Sequence, residues 1–178
     1  MLSFLKSVCE RLESQGLDYM VSGSMALNAY TVPRMTRDID LVIALAPDQL
    51  DIFVVLFSPE KTYFSKPAIE QALDTHGMFN VIDFETGYKL DFIVLKPEPF
   101  RQAEFSRRIR SQAFGFPIWL VQVEDLVLSK LIWIQDLQSD RQTEDLKHLL
   151  SLETIDRAYL NQWVNDLNLD TFGLLPDA

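Results

Sequence analysis

The sequence predicts an α/β (α+β) fold: a mixed β-sheet flanked by helices, followed by a small C-terminal helical bundle. Three observations carry this. Residues 38–45, DIDLVIAL, alternate in polarity, with Ile39, Leu41, Ile43 and Leu45 on one face and Asp38 and Asp40 on the other. The apolar runs FNVIDF (79–84) and YKLDFIVL (88–95) are separated by Glu85-Thr86-Gly87, the spacing of a β-hairpin. From Val123 the character changes, and three helical patterns follow one another. The reading divides the chain into an α/β core, 1–121, and a helical subdomain, 122–178.

The remaining elements follow in order. Residues 2–15 place Leu2, Leu5, Val8 and Leu12 on one helical face, and Gly16 ends the helix. DYMVS (18–22) is a short strand, and Ser24 to Tyr30 a short helix closed by the loop around Pro33. Pro47, with acidic residues behind it, starts a helix over 47–57. Between Phe57 and Phe79 the pattern assigns no element. A helix covers 98–107, and RIRSQAF with PIWLV forms a second hairpin around Gly115. The tail helices are 123–137, 139–151 and 155–167, and Trp119, Trp133 and Trp163 are expected in the core or between the two halves.

Composition narrows the class. The chain has 178 residues, 48% hydrophobic and 24% charged, ordinary values for a folded domain rather than a disordered chain. No run approaches the ~20 apolar residues of a membrane span, and residues 1–16 lack the pattern of a secretory signal. Cys9 is the only cysteine, so an internal disulfide is impossible and a reducing cytoplasm is the expected location. A net charge of −10 opposes loose binding along a polyanion. One local exception is RQAEFSRRIR (101–110), with four arginines against one glutamate, which reads either as a solvated helix face or as a surface for an acceptor substrate.

The acidic residues pose the functional question. Side chains two apart on a strand point the same way, with Cα atoms ~6.5–7 Å apart. Asp38 and Asp40 can therefore converge on a pair of cations held ~4 Å apart, whereas without cations their repulsion raises a pKa or drives them into water. Asp91, in an otherwise apolar strand, offers a third carboxylate that needs a partner or an exit to solvent. Hard oxygen ligands of this kind suit Mg²⁺ or Mn²⁺. Upstream, Gly23-Ser24 stands between a strand and a helix, a turn that aims N–H groups and a hydroxyl at one point and can receive phosphate. Each signal also has a plainer account: Asp-x-Asp suits a solvated strand end, and Gly-Ser a simple turn with Ser24 as N-cap.

Taken together and in this order, Ser22-Gly23-Ser24, Asp38-Ile39-Asp40 and Asp91 resemble the motifs of the nucleotidyltransferase superfamily typified by DNA polymerase β. GSMALNAY, RMTRDIDLVI, KLDF and VEDLVLSKL followed by RQTEDL are similar to the landmarks of its minimal bacterial group, which includes the AbiEii-type toxin nucleotidyltransferases. The resemblance covers about residues 19 to 150. It implies the nucleotidyltransferase fold and a catalytic and metal-binding triad of Asp38, Asp40 and Asp91 around Mg²⁺ or Mn²⁺. It also implies a nucleotide site that includes Gly23 and Ser24, with Lys130 and Asp145 from the tail. Lys130 shares a helix face with Val127 and Ile134, where its ammonium either meets phosphate or snorkels to water. Ser139 with Gln142 forms a capping box. Arg141 stands four residues before Asp145, as a surface ion pair or as a cation for the nucleotide, since relatives often carry a basic stretch there. Arg37 is placed to stabilise phosphate charge or to neutralise Asp38.

The implied reaction is NMP transfer from an NTP to a hydroxyl acceptor, either tRNA, protein or a small molecule. As a toxin the chain would have a cognate antitoxin as partner; no membrane partner is expected. The competing reading is a nucleotide-binding regulatory or interaction module with the same fold and little or no turnover.

Overall fold

Strand β2 (Asp38–Ala44) is the centre of the molecule, and its alternation is real: Ile39, Leu41 and Ile43 are fully buried while Asp38 is exposed. In a computed structural model that describes residues 1–136 and 139–175, it lies between β1 (Asp18–Ser22), antiparallel, and β5 (Lys89–Val94), parallel. The remaining strands are β3 (Thr62–Tyr63), β4 (Met78–Asp83), β6 (Ile109–Ser111) and β7 (Ile118–Leu120). They form one seven-stranded mixed sheet in the order β3-β4-β5-β2-β1-β7-β6. Both expected hairpins are present as antiparallel pairs, β4 with β5 and β6 with β7, the second shorter than the sequence suggested.

Register assigns the two faces. Tyr19 pairs with Ile43, Val21 with Leu41, Leu41 with Phe92, and Phe92 with Phe79, so all of these share one face. Helix α1 (Leu2–Ser14) buries Leu5, Val8, Cys9 and Leu12. Helix α3 (Leu50–Val55), entered through a 3₁₀ turn at Pro47–Gln49, brings Phe53 within 5.1 Å of Phe92 and 5.4 Å of Phe79, ring centre to ring centre, both edge-on. Edge-on aromatic contacts of this kind add to the area that the rings bury. The opposite face carries the carboxylates and the short helix α2 (Gly23–Tyr30).

Helix α4 (Lys66–Thr75) fills the stretch that the sequence left unassigned. Its signals were ordinary ones: Ser65 caps it by accepting a hydrogen bond from the Ala68 N–H, Pro67 sits in the first turn, and Ile69, Ala72 and Leu73 are buried. Helix α5 is Pro99–Ser106. The tail helices are α6 (Val123–Asp136), α7 (Asp140–Leu150) and α8 (Arg157–Asp166). Leu137, the last residue assigned to the first tail helix, lies outside the described residues, as do 138 and 176–178. The buried residues of α6 to α8 join those of the sheet in one hydrophobic cluster. Among the described residues no helix is long and apolar enough to cross a membrane.

The arginine-rich stretch 101–110 is neither a solvated helix face nor a free cationic surface. Arg101 pairs with Glu104 at 2.9 Å, Arg107 with Glu124 and Asp125 at 3.2 and 3.0 Å, Arg108 with Asp18 at 2.8 Å and Arg110 with Glu13 at 2.6 Å. Glu124 and Asp125 are both buried, and a buried carboxylate needs such a partner. The Arg107 guanidinium also lies 3.8 Å from the Tyr159 ring centre, which ties α8 to the sheet side of the molecule. The arginines are thus consumed internally. Trp133 is a second correction: it is 64% exposed on α6, whereas Trp163 packs on Phe100 and Trp119 sits beside Arg108 and Arg110.

Candidate active site

The acidic face of the sheet builds a row across four strands. Ser22 of β1 pairs with Asp40 of β2, Asp40 with Asp91 of β5, and Asp91 with Asn80 of β4. One pleat along, Asp38 pairs with Lys89. Cross-strand partners project to the same side, so Asp38, Asp40, Lys89 and Asp91 occupy the corners of one patch. Asp91 is buried and fully engaged: Asn80 Nδ2 donates to its Oδ1 at 3.1 Å, and Lys89 Nζ lies 2.8 Å from its Oδ2. The same ammonium reaches Asp38 Oδ1 at 3.5 Å. Burial, then the charges of Asp91 and Asp38, push the Asp40 pKa up, against the pull of the Ser24 backbone N–H and the Lys130 charge.

The turn after β1 is shaped around Asp40. Gly23 has φ +58°, and a Cβ built on it would lie 2.6 Å from Asp40 Cγ. Only glycine fits, for backbone conformation and for space alike. Ser22, not Ser24, is the residue preceding the first turn of α2, and its side chain makes no cap bond. Ser24 is left free for the site: its hydroxyl accepts a hydrogen bond from Arg34 at 2.9 Å.

Arg34 links this turn to the tail. Its guanidinium donates to both oxygens of Asp145, from Nε at 3.0 Å and from a terminal nitrogen at 2.8 Å. Lys130, only 6% exposed, reaches the same carboxylate at 2.8 Å and Gln142 Oε1 at 3.0 Å. Burial opposes a charged Asp145, but the hydrogen bonds from Arg34 and Lys130 outweigh it and hold the carboxyl below its usual range. Burial presses the Lys130 pKa down. Two cations thus share one carboxylate, and the other terminal nitrogen of Arg34 is buried with no hydrogen-bond partner among the described residues. An unsatisfied buried donor is costly, and at a ligand site it marks a place for an acceptor.

The sequence-derived residues sort as follows. Asp38, Asp40, Asp91, Gly23 and Ser24 come together, and Lys130 and Asp145 join them through Arg34. Arg141 does not pair with Asp145. It is exposed and donates to the Met35 carbonyl at 3.1 Å, because Arg34 and Lys130 already occupy the carboxylate. Arg37 is exposed and makes no ion pair among the described residues, so it does not neutralise Asp38; it is Arg34 that reaches inward to Asp145. The capping box is half formed, with Ser139 accepting from the Gln142 N–H while the Gln142 side chain turns to Lys130. Lys89 and Asn80 escaped the sequence reading. Lys89 was visible by the two-residue period from Asp91, whereas Asn80 needed the β4–β5 register.

Do these residues suit a divalent cation? As the structure stands, no trio of His, Cys, Asp or Glu among the described residues is drawn to metal-ligating separation. The donor set nevertheless suits a hard cation, since it consists of carboxylate oxygens. A cation is also already there: the Lys89 ammonium sits between Asp38 and Asp91.

The sheet and its flanking helices have the nucleotidyltransferase fold. The antibiotic-resistance factor ANT(2'')-Ia, in complex with adenylyl-2''-tobramycin, is similar over 94% of this chain and 96% of its own, at 10% identity and TM-score 0.68. The lincosamide antibiotic adenylyltransferase LnuA with bound lincomycin is similar over 83% and 94%, at 13% identity and TM-score 0.57. An antigenic nucleotidyltransferase-like protein from Paracoccidioides brasiliensis is similar over 94% and 90%, at 20% identity and TM-score 0.57. No protein-family model and no curated protein matches the sequence.

Replacing Arg34 tests the link between turn and tail. Arg34→Ala leaves the buried Asp145 with Lys130 as its one cationic partner and Ser24 without its donor. The expected result is a loss of about 1–3 kcal/mol of stability in urea unfolding, together with weaker NTP-induced stabilisation. An unchanged midpoint would show that the bidentate pair is only decorative.

Proposed function

We propose that the chain is a metal-dependent nucleotidyltransferase, transferring NMP from an NTP to a hydroxyl acceptor. The observation that supports this most is the in-register row Ser22–Asp40–Asp91–Asn80 beside a turn that only glycine can make. Asp38, Asp40 and Asp91 would hold Mg²⁺ or Mn²⁺. Bound there, divalent cations would supply Lewis-acid stabilisation of the attacking and leaving oxygens. The phosphates fit the cationic side of the site, where Ser24, Lys130 and the unsatisfied nitrogen of Arg34 converge. Asp91, oriented by Asn80, takes the proton of the acceptor hydroxyl. The acceptor oxygen forms the new bond to the α-phosphorus, the bond to the bridging oxygen breaks, and pyrophosphate leaves.

A compact acceptor suits this chain better than tRNA. Net charge is −10, and every arginine of 101–110 is spent on an internal carboxylate. The similarity to ANT(2'')-Ia and LnuA makes hydroxylated antibiotics and ATP the first acceptors and donor to try. A tRNA or protein acceptor, and with it action as a toxin controlled by an antitoxin, is a second arm of the same assay. The test incubates the protein with each α-³²P-labelled NTP, Mg²⁺ or Mn²⁺, and panels of antibiotics, proteins and tRNA. Label transfer that EDTA abolishes is expected; no transfer under any condition would overturn the reading.

One observation favours the alternative of a binding module. Arg34 spans Ser24 and Asp145, and Lys89 spans Asp38 and Asp91, so several charges of the site are already paired within the chain. Metal-dependent NTP binding without pyrophosphate release would select that reading.

A further inference from the structure

We infer that Lys89 is a built-in competitor for the cation site, which keeps free metal out and ties metal loading to arrival of the nucleotide. The inference rests on the reading of Asp38, Asp40 and Asp91 as metal ligands.

Register places Lys89 at the fourth corner of the acidic patch, opposite Asp38 and two residues before Asp91 on the same face. Its ammonium is 2.8 Å from Asp91 Oδ2 and 3.5 Å from Asp38 Oδ1. Both oxygens belong to carboxylates that would hold the cation. With Lys89 in place the patch carries two net negative charges instead of three, so repulsion between carboxylates is relieved with no metal present. A metal arriving alone must expel a hydrogen-bonded ammonium. A metal arriving with a triphosphate brings anionic oxygens to which the ammonium can turn, so the exchange costs less. The side chain is suited to such a move: it is 37% exposed and can swing outward without unpacking the core. Asp91, by contrast, stays fixed, buried and held by Asn80.

The plain account is an ordinary strand-surface ion pair of small stabilising effect and without effect on metal affinity. Mn²⁺ binding, followed by the electron paramagnetic resonance signal of free Mn²⁺, separates the two. Without nucleotide, Lys89→Gln is expected to bind Mn²⁺ about tenfold more tightly than wild type, equivalent to about 1.4 kcal/mol. Lys89→Arg, which keeps the charge, is expected to bind as weakly as wild type. Adding an α,β-methylene NTP analogue should tighten wild-type binding and narrow the gap. Melting curves give a second readout: Lys89→Gln should melt below wild type in EDTA and gain more from Mn²⁺. Equal Mn²⁺ affinities for wild type and Lys89→Gln, with nucleotide-dependent metal binding intact, would overturn this inference alone. Absence of Mn²⁺ binding in every protein, with or without nucleotide, would overturn it together with the proposed function.

Discussion

Asp40→Asn is expected to stop nucleotidyl transfer and, with no metal present, to make the protein more stable to heat. Both outcomes have one cause. Asp40 sits among buried surroundings and two like charges, which raise its pKa above the ordinary 3.8. A carboxyl whose folded value is raised takes up a proton on folding between the two values, so stability falls as pH rises through that window. Above the raised value the penalty is fully present. Asparagine removes the charge while its side-chain oxygen still accepts from the Ser24 N–H. The melting point in EDTA at pH 7 should therefore rise, and the difference from wild type should shrink as pH is lowered. Transfer of labelled phosphate should fall about 10³-fold, the scale of losing a group that stabilises transition-state charge. Activity within tenfold of wild type would remove Asp40 from the chemistry. A melting point below wild type in EDTA would show that its carboxylate is structural.

Gly23→Ala should be the most damaging small substitution in the chain. Alanine at φ +58° costs about 1–2 kcal/mol on conformational grounds alone. The added methyl must also overlap the Asp40 side chain from its carboxylate back to Cβ, and the Asp40 backbone is fixed between β1 and β5. Gly16 provides the comparison: its φ is +65°, and a methyl placed there would meet nothing within 4 Å. Gly16→Ala should therefore show the conformational cost only, with activity unchanged. Gly23→Ala should show about 3 kcal/mol or more and lose transfer activity. Equal effects in urea unfolding would mean that Asp40 can move aside, and the tight fit of turn to carboxylate would then be incidental.

Much of the site was legible because a strand has a period of two. Alternation over 38–45 separated Ile39, Leu41 and Ile43 from Asp38 and Asp40, and burial matches that division. Asp91 stood out as a charge in an otherwise apolar strand; the same period, applied to 88–95, sets it with Lys89 and apart from Leu90 and Phe92. Arg34 could not be separated from Arg37 in this way. The loop 31–37 has no period, and tertiary contacts with Asn28 and Ser24 of α2 and Asp145 of α7 turn Arg34 inward, leaving Val32 and Met35 at 84% and 87% exposure. Helix α4 was overlooked although its cap and apolar face were ordinary, so that omission lies in the reading and not in the residues.

The sequence alone determined the elements, their order and the acidic residues that face away from the core, because these are local consequences of side-chain spacing and polarity. Tertiary structure alone decided which strands adjoin. It thereby set Asp40 beside Asp91 and closed Arg34 over Asp145, 111 residues away. It also paired the arginines of 101–110 with Glu13 and Asp18 at the surface and with the buried Glu104, Glu124 and Asp125. The physical reason is that a charge takes its partner from whatever the fold brings within a few ångströms, and no pattern along the chain encodes that distance.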